Sequence, residues 1–209
     1  MLGRWIRAPL SRLVRPLLEL LARAGCRPDA LTMLGVACAV GSGAALACRA
    51  PRTALALLFV AGAFDVLDGA VARVLGAGTP RGGFVDSIAD HVGDFAINFG
   101  LLWAALGEGA KSRAVLVFAA QFGSLFGSHV RSRALALGLE LRDVGFFTRT
   151  ERVLTLMMGL MVGQVTAALA LVVLCANLSA GQRVIHVLTA SLPAAPRDRG
   201  EGRRLAPPG

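Results

Sequence analysis

The sequence predicts an all-α, polytopic membrane protein, with six transmembrane helices behind an N-terminal amphipathic helix that lies in the membrane interface. Three observations carry that expectation. Hydrophobic residues fill 55% of 209 positions and mean hydropathy is +0.64, which leaves no room for a large water-soluble domain. Apolar runs near the spanning length of about 20 residues recur at 31–48, 53–75, 84–106, 112–137, 149–163 and 166–188. Basic residues gather at alternate ends of those runs rather than inside them. With six spans both termini share one side, together with the 76–83 turn and the 131–152 region, leaving Arg49, Arg52, Lys111 and Arg113 opposite. The positive-inside rule makes the arginine-rich side cytoplasmic.

Residues 1–26 place Leu2, Trp5, Ile6, Leu10, Leu13, Leu17 and Leu21 at helical spacing against Arg4, Arg7, Arg12, Arg15 and Arg23. That is a basic amphipathic helix facing anionic lipid, with Pro9 and Pro16 marking a start or a bend. Residues 27–190 form the membrane domain. Its first helix opens at Pro28-Asp29, where Asp29 can satisfy orphan backbone donors as an N-cap. Small residues in every span permit close helix packing. The fifth span is short, and its break from the sixth falls at Gly163-Gln164. Residues 191–209, rich in Pro, Arg and Gly, have almost nothing to bury and are expected to be disordered.

The net charge of +9 comes from arginines and a single lysine, Lys111. In a membrane protein this marks cytoplasmic loops and contact with anionic headgroups or phosphates, and nucleic acid is not an expected partner. Cys26, Cys38, Cys48 and Cys175 show no paired spacing and read as small core residues. The first 24 residues lack the continuous apolar stretch of a cleaved signal peptide, so none is expected.

Four aspartates interrupt the second and third runs: Asp65, Asp68, Asp86 and Asp90. A charged side chain at a membrane helix centre costs about 2.5–3.5 kcal/mol on insertion scales, so four together require cations or a shared polar cavity. Asp65 and Asp68 share one helix face, as do Asp86 and Asp90. Two such pairs on adjacent antiparallel helices, joined by a turn containing Gly76, Gly78, Pro80, Gly82 and Gly83, can converge on hard divalent cations. Arg73 could pair with one or two of the carboxylates but cannot neutralise all four. Gly69, beside Asp68, offers a surface without a Cβ.

Asp65-x2-Asp68-Gly69-x2-Ala72-Arg73-x8-Gly82-x3-Asp86-x3-Asp90 resembles the complete motif of the CDP-alcohol phosphatidyltransferases, matching all eight fixed positions. Members of that family transfer a phosphatidyl group from a CDP-linked lipid to the hydroxyl of a small alcohol and release CMP. The resemblance implies two magnesium ions, or manganese, on Asp65, Asp68, Asp86 and Asp90, with Asp90 also the base that takes the hydroxyl proton. It implies contacts to CDP-diacylglycerol from Gly69, Ala72, Arg73 and Thr79, and from Asp29 and Thr32 in Pro28-Asp29-Ala30-Leu31-Thr32. It further implies a homodimer. The pattern Ser128-His129-Val130-Arg131-Ser132-Arg133, with Arg149-Thr150-Glu151-Arg152 and Gln182-Arg183, is similar to the phosphatidylinositol phosphate synthase branch. On that likeness Ser128, Arg131, Arg133, Arg149, Arg152 and Arg183 would surround the acceptor phosphate, with Arg131 where lysine is common and Thr150 where proline often stands.

The expected function is therefore phosphatidyl transfer to a phosphorylated polyol, inositol 1-phosphate first and glycerol 3-phosphate second, at the cytoplasmic face of a bacterial cell membrane. A cation-coupled transporter would also use intramembrane acids, but these cluster beside one cytoplasmic turn rather than at the midplane. His91, His129 and His186 have no metal-ligand spacing. Asp94, one turn beyond Asp90 on the same face, is expected to extend the polar cavity or to hydrogen-bond a ligand rather than to act in catalysis.

Overall fold

The computed structural model describes residues 28–74, 79–141 and 144–190, with Pro28, Arg73 and Val74 described by their backbone only. The predicted interfacial helix at 1–26, the tail at 191–209 and the first part of the 76–83 turn, residues 76–78, lie outside the described residues. Six helices follow one another: α1 Pro28–Ala47, α2 Pro51–Val74, α3 Pro80–Gly107, α4 Lys111–Ala136, α5 Arg149–Val162 and α6 Val165–Thr189. Their bounds lie within a few residues of the six apolar runs, and no strand occurs among the described residues.

Asp29–Ala47, Pro51–Ala72 and Val165–Thr189 are each long and apolar enough to cross a bilayer. α3 and α4 run to 28 and 26 residues but carry more polar and charged side chains. α5 has 14 residues, about 21 Å at 1.5 Å per residue, against a hydrocarbon thickness of about 30 Å. The bundle buries only 22–33% of the three apolar spans. Phe59, Trp103, Phe118 and Leu188 point outward at 61–78% exposure. So large an apolar exterior suits lipid as solvent rather than water, and the chain is an integral membrane protein.

α1 packs on α2 and α3, α4 on α3 and α6, and α5 on α6 and α2. The core runs through all six helices, from Ala39 and Leu46 through Leu58, Leu101 and Val117 to Leu160 and Val172. α1 and α3 meet backbone to backbone. A Cβ on Gly43 would stand 2.2 Å from the Ala96 carbonyl oxygen, and one on Gly100 would stand 2.0 Å from that of Gly43. Without a hydrophobic driving force between helices in lipid, this close approach supplies the van der Waals contact that holds them. The break between the last two helices falls where the sequence places it. Gly163 caps α5 at φ 72°, a conformation that costs glycine nothing. Gly159 then admits Ala168 so closely that its own Cβ would lie 2.4 Å from the Ala168 Cβ.

At the end of the bundle where α1 hands over to α2, Arg113 pairs with Glu108 at 2.6 Å and donates to Thr166 Oγ1 at 3.1 Å. Arg113 thus links the α3–α4 and α5–α6 connections. The opposite end holds the start of α1, the end of α2, the start of α3, the end of α4, the start of α5 and the end of α6, so every predicted site residue lies there.

Replacing Gly43 or Gly100 by alanine should destabilise the bundle by about 1–3 kcal/mol or more, since the added Cβ meets backbone rather than a movable side chain. Gly62→Ala, whose Cβ meets nothing within 4 Å, should be neutral or stabilising. Thermal midpoints of the three variants in one detergent check the contrast, and equal midpoints contradict the packing account.

Candidate active site

The carboxylates converge as their spacing requires. Asp65 near the end of α2, with Asp86 and Asp90 in the first turns of α3, bring one oxygen each within 4.8 Å of one another. Asp65 and Asp86 are exposed and Asp90 is half-buried, so the cluster opens at the bundle end. Asp68 takes a deeper place: it is 6% exposed and accepts a 2.6 Å hydrogen bond from Thr32 Oγ1 on α1. That bond fixes one Asp68 oxygen, and Leu31 packs beside it against Val71, Phe64 and Leu67. The predicted four-carboxylate set therefore divides into three clustered oxygens and one buried neighbour tied to α1. Converging carboxylate oxygens of this number suit a hard divalent cation such as Mg2+ or Mn2+, and the absence of sulfur or imidazole argues against zinc.

Four of the other predicted positions, Asp29, Gly69, Ala72 and Thr79, lie at the same end of the bundle. α1 begins at Pro28, so Asp29 sits inside its first turn, exposed, where its charge favours the positive helix end. Thr79 is the N-cap of α3 and accepts from the Gly82 N–H at 3.0 Å. That bond starts α3 in the register that turns Asp86 and Asp90 toward α2. Gly69 and Ala72 are half-buried on α2, whereas the Arg73 side chain lies outside the described residues. His91 bonds the Ser87 carbonyl of its own helix at 2.8 Å, which agrees with a packed, non-ligating histidine.

The arginines do not form one uniform shell. Arg149, the first residue of α5, reaches across to the carboxylates: Nη1 lies 2.5 Å from Asp90 and 3.1 Å from Asp65, and Nε lies 3.2 Å from Asp94. Arg152, one turn on, places Nη2 3.1 Å from the second oxygen of Asp94, and Ser124 Oγ on α4 donates to that same oxygen at 3.1 Å. Arg183 is held by backbone, donating from Nε to the Val144 carbonyl and from Nη1 to that of Gly127, both at 3.1 Å. Ser128 is half-buried and Arg131 and Arg133 are exposed at the end of α4.

Some of the supporting residues gave no signal in the sequence. Gly145 adopts φ 92°, and a Cβ there would lie 2.6 Å from Ser179 Oγ and 2.7 Å from Arg183 Nε, so only glycine leaves space for Arg183. Gly127 gives room in the same way, with Arg183 Nη1 3.2 Å from its would-be Cβ. Glu151 caps its own helix, pairing with Thr148 through both the N–H and the hydroxyl, and so directs Arg149 and Arg152 rather than meeting a ligand. A Thr-x-x-Glu capping box was present in the sequence at Thr148. Asp94 is the larger surprise. Expected to extend a polar cavity, it is the partner of both α5 arginines and lines a cavity of about 40 Å³ with Asn98, Ser124 and Arg152 among apolar neighbours.

One bundle end thus carries an acidic cluster fit for a divalent cation and, beside it, a basic wall fit for an anion. Comparison with known proteins gives this arrangement a family. Residues 26–192 match the model of the CDP-alcohol phosphatidyltransferases. The chain is 35% identical over 164 residues to a phosphatidylinositol phosphate synthase of Mycobacteroides abscessus, covering 76% of this chain and 73% of that protein. It is 32% identical over 157 residues to the archaetidylinositol phosphate synthase of Methanothermobacter thermautotrophicus, covering 75% and 76%. Among solved structures it resembles the Mycobacterium tuberculosis phosphatidylinositol phosphate synthase with CDP-DAG bound, at a TM-score of 0.78 and 28% identity over 85% of this chain and 94% of that one. The same enzyme in complex with manganese and citrate matches at a TM-score of 0.76 and 27% identity, over 83% and 88%. With four-fifths of its length inside the family model, the chain belongs to the CDP-alcohol phosphatidyltransferase family and is a membrane transferase.

Proposed function

We propose that the protein transfers the phosphatidyl group of CDP-diacylglycerol to inositol 1-phosphate, with release of CMP. The observation that carries this reading is the meeting, at one end of the bundle, of the Asp65–Asp86–Asp90 cluster with the Arg149, Arg152 and Arg183 side chains. A nucleotide diphosphate held by a cation and a phosphorylated alcohol held by guanidinium groups would lie side by side there. The relatives named for inositol phosphate products support the choice of acceptor.

In the reaction, the acceptor hydroxyl oxygen forms a bond to the lipid-side phosphorus as the bond to CMP breaks. CMP leaves with the electron pair, and the hydroxyl proton passes to Asp90. Asp90 suits the base because it is half-buried at the border of the acidic cluster and the basic wall. Two divalent ions, Mg2+ or Mn2+, bound by Asp65, Asp68, Asp86 and Asp90 would neutralise the pyrophosphate and the departing CMP. Thr32 fixes Asp68 for that role, while Asp29, Gly69, Ala72, Arg73 and Thr79 form the surroundings of the nucleotide. Ser128, Arg131, Arg133, Arg149, Arg152 and Arg183 bind the acceptor phosphate. All six helices cross the membrane, the site faces the cytoplasm of a bacterial cell, residues 1–26 lie in the interface, and the enzyme is a homodimer.

Asp90→Asn should lower kcat by about 10²–10⁴-fold, the usual contribution of a positioned base, while CDP-diacylglycerol binding changes less than threefold. Single-turnover CMP release measured with a binding titration checks this, and an Asp90→Asn enzyme with near-normal kcat removes the proposed base. Chelation should abolish CMP release, and added Mg2+ or Mn2+, but not metal-free buffer, should restore it; Asp65→Ala and Asp86→Ala should each raise the Mn2+ concentration needed at least tenfold. With inositol 1-phosphate, glycerol 3-phosphate, serine and free inositol offered separately, CMP release should be fastest with inositol 1-phosphate. Preference for glycerol 3-phosphate would reassign the acceptor, and release with the unphosphorylated alcohols alone would remove the phosphate-binding wall from the account.

A further inference from the structure

Asp94 lies outside the acidic motif, one turn beyond Asp90, and shares Arg149 with Asp65 and Asp90. Both of its carboxylate oxygens are engaged. Oδ1 accepts from Arg149 Nε at 3.2 Å, and Oδ2 accepts from Arg152 Nη2 at 3.1 Å and from Ser124 Oγ at 3.1 Å. Its side chain is 13% exposed, against 46% for Asp65 and 29% for Asp90. Three helices therefore meet at one carboxylate: α3 supplies it, α4 orients it, and α5 is held by it.

The two arginines are constrained to different degrees. Arg149 has Asp65 and Asp90 as further partners, so it keeps its place by other bonds. Arg152 has Asp94 as its one ion-pair partner among the described residues, and it borders the cavity that Asp94, Asn98 and Ser124 line. A guanidinium has five N–H donors on one rigid plane. Fixing Nη2 fixes that plane and the direction of the donors left for an incoming anion. Without Asp94, Arg152 would keep its charge but lose its aim.

We propose that Asp94 is a positioning residue that sets acceptor selectivity: by aiming Arg152, it fixes how far the acceptor's phosphate sits from the hydroxyl at Asp90. An acceptor is then read at both ends, hydroxyl against Asp90 and phosphate against the aimed guanidinium. This rests on the phosphorylated-alcohol reading given above. Asp94 acts on the acceptor through Arg152, because its other partner, Arg149, is also held by Asp65 and Asp90.

The test is a double-mutant cycle with Asp94→Asn and Arg152→Gln in the full-length enzyme, using CDP-diacylglycerol, inositol 1-phosphate and free inositol. Asp94→Asn should raise the KM for inositol 1-phosphate tenfold or more, with kcat and the KM for CDP-diacylglycerol changed less than threefold. The preference for inositol 1-phosphate over free inositol should shrink by the same factor. In the Arg152→Gln background, Asp94→Asn should add less than twofold, because coupled residues are non-additive. Mn2+ affinity, read by electron paramagnetic resonance, should stay within twofold of wild type. A full Asp94→Asn effect in the Arg152→Gln background, or an equal rise in both KM values, overturns the proposal. Where Asp94→Asn fails to fold, Ser124→Ala loosens the same carboxylate and should raise the acceptor KM about threefold, and an unchanged KM in that variant also overturns it. A wild-type enzyme inactive with every phosphorylated alcohol would instead defeat the functional reading, a result distinct from an active wild type whose acceptor KM ignores Asp94.

Discussion

A carboxylate within the thickness of a membrane needs a positive partner, and that single constraint organises this bundle end. Arg149 answers for Asp65, Asp90 and Asp94 at once, spanning from α5 to α2 and α3. Arg152 adds a second bond to Asp94. With Asp94 13% and Arg152 18% exposed, these charge-assisted contacts are partly buried and their loss would leave an unpaired ion, so they favour one docking of α5. A helix of 14 residues that packs on α6 and touches α2 is thereby pinned to α3 as well. The same residues that neutralise the acids supply the cations needed to receive an anionic substrate.

A second constraint is distance. Because α1 and α3 approach through Gly43 and Gly100, α1 stands near enough to α2 and α3 for Thr32 to reach Asp68. Glycine thus does remote work for the site: one contact toward the end of α1 helps set the place of a hydroxyl near its start. Gly145 and Gly127 do the same for Arg183, whose position depends on two backbone carbonyls approaching where any side chain would intrude.

The acidic and basic halves of the site were unequally legible. The aspartates lie within 26 residues of sequence on two consecutive helices, so spacing alone predicts that they share faces and meet across one turn. The capping box at Thr148 and Glu151 was equally local, although its effect in directing Arg149 needed the fold. The arginines belong to α4, α5 and α6, and their partners lie 39 to 84 residues away. No periodicity encodes such separations, so the sequence could gather them only as a group.

What the chain determined by itself was the set of helices, their ends and the acid cluster, because hydropathy, caps and the i, i+3 and i, i+4 relations are local physics. Tertiary structure alone decided that Asp68 turns inward to Thr32, that Arg149 bridges the acids, that Asp94 holds two arginines and that Arg183 rests on carbonyls. Each of these depends on which helix faces lie against one another and at what separation. That is settled by shape and charge across helices distant in sequence, and no local pattern records it.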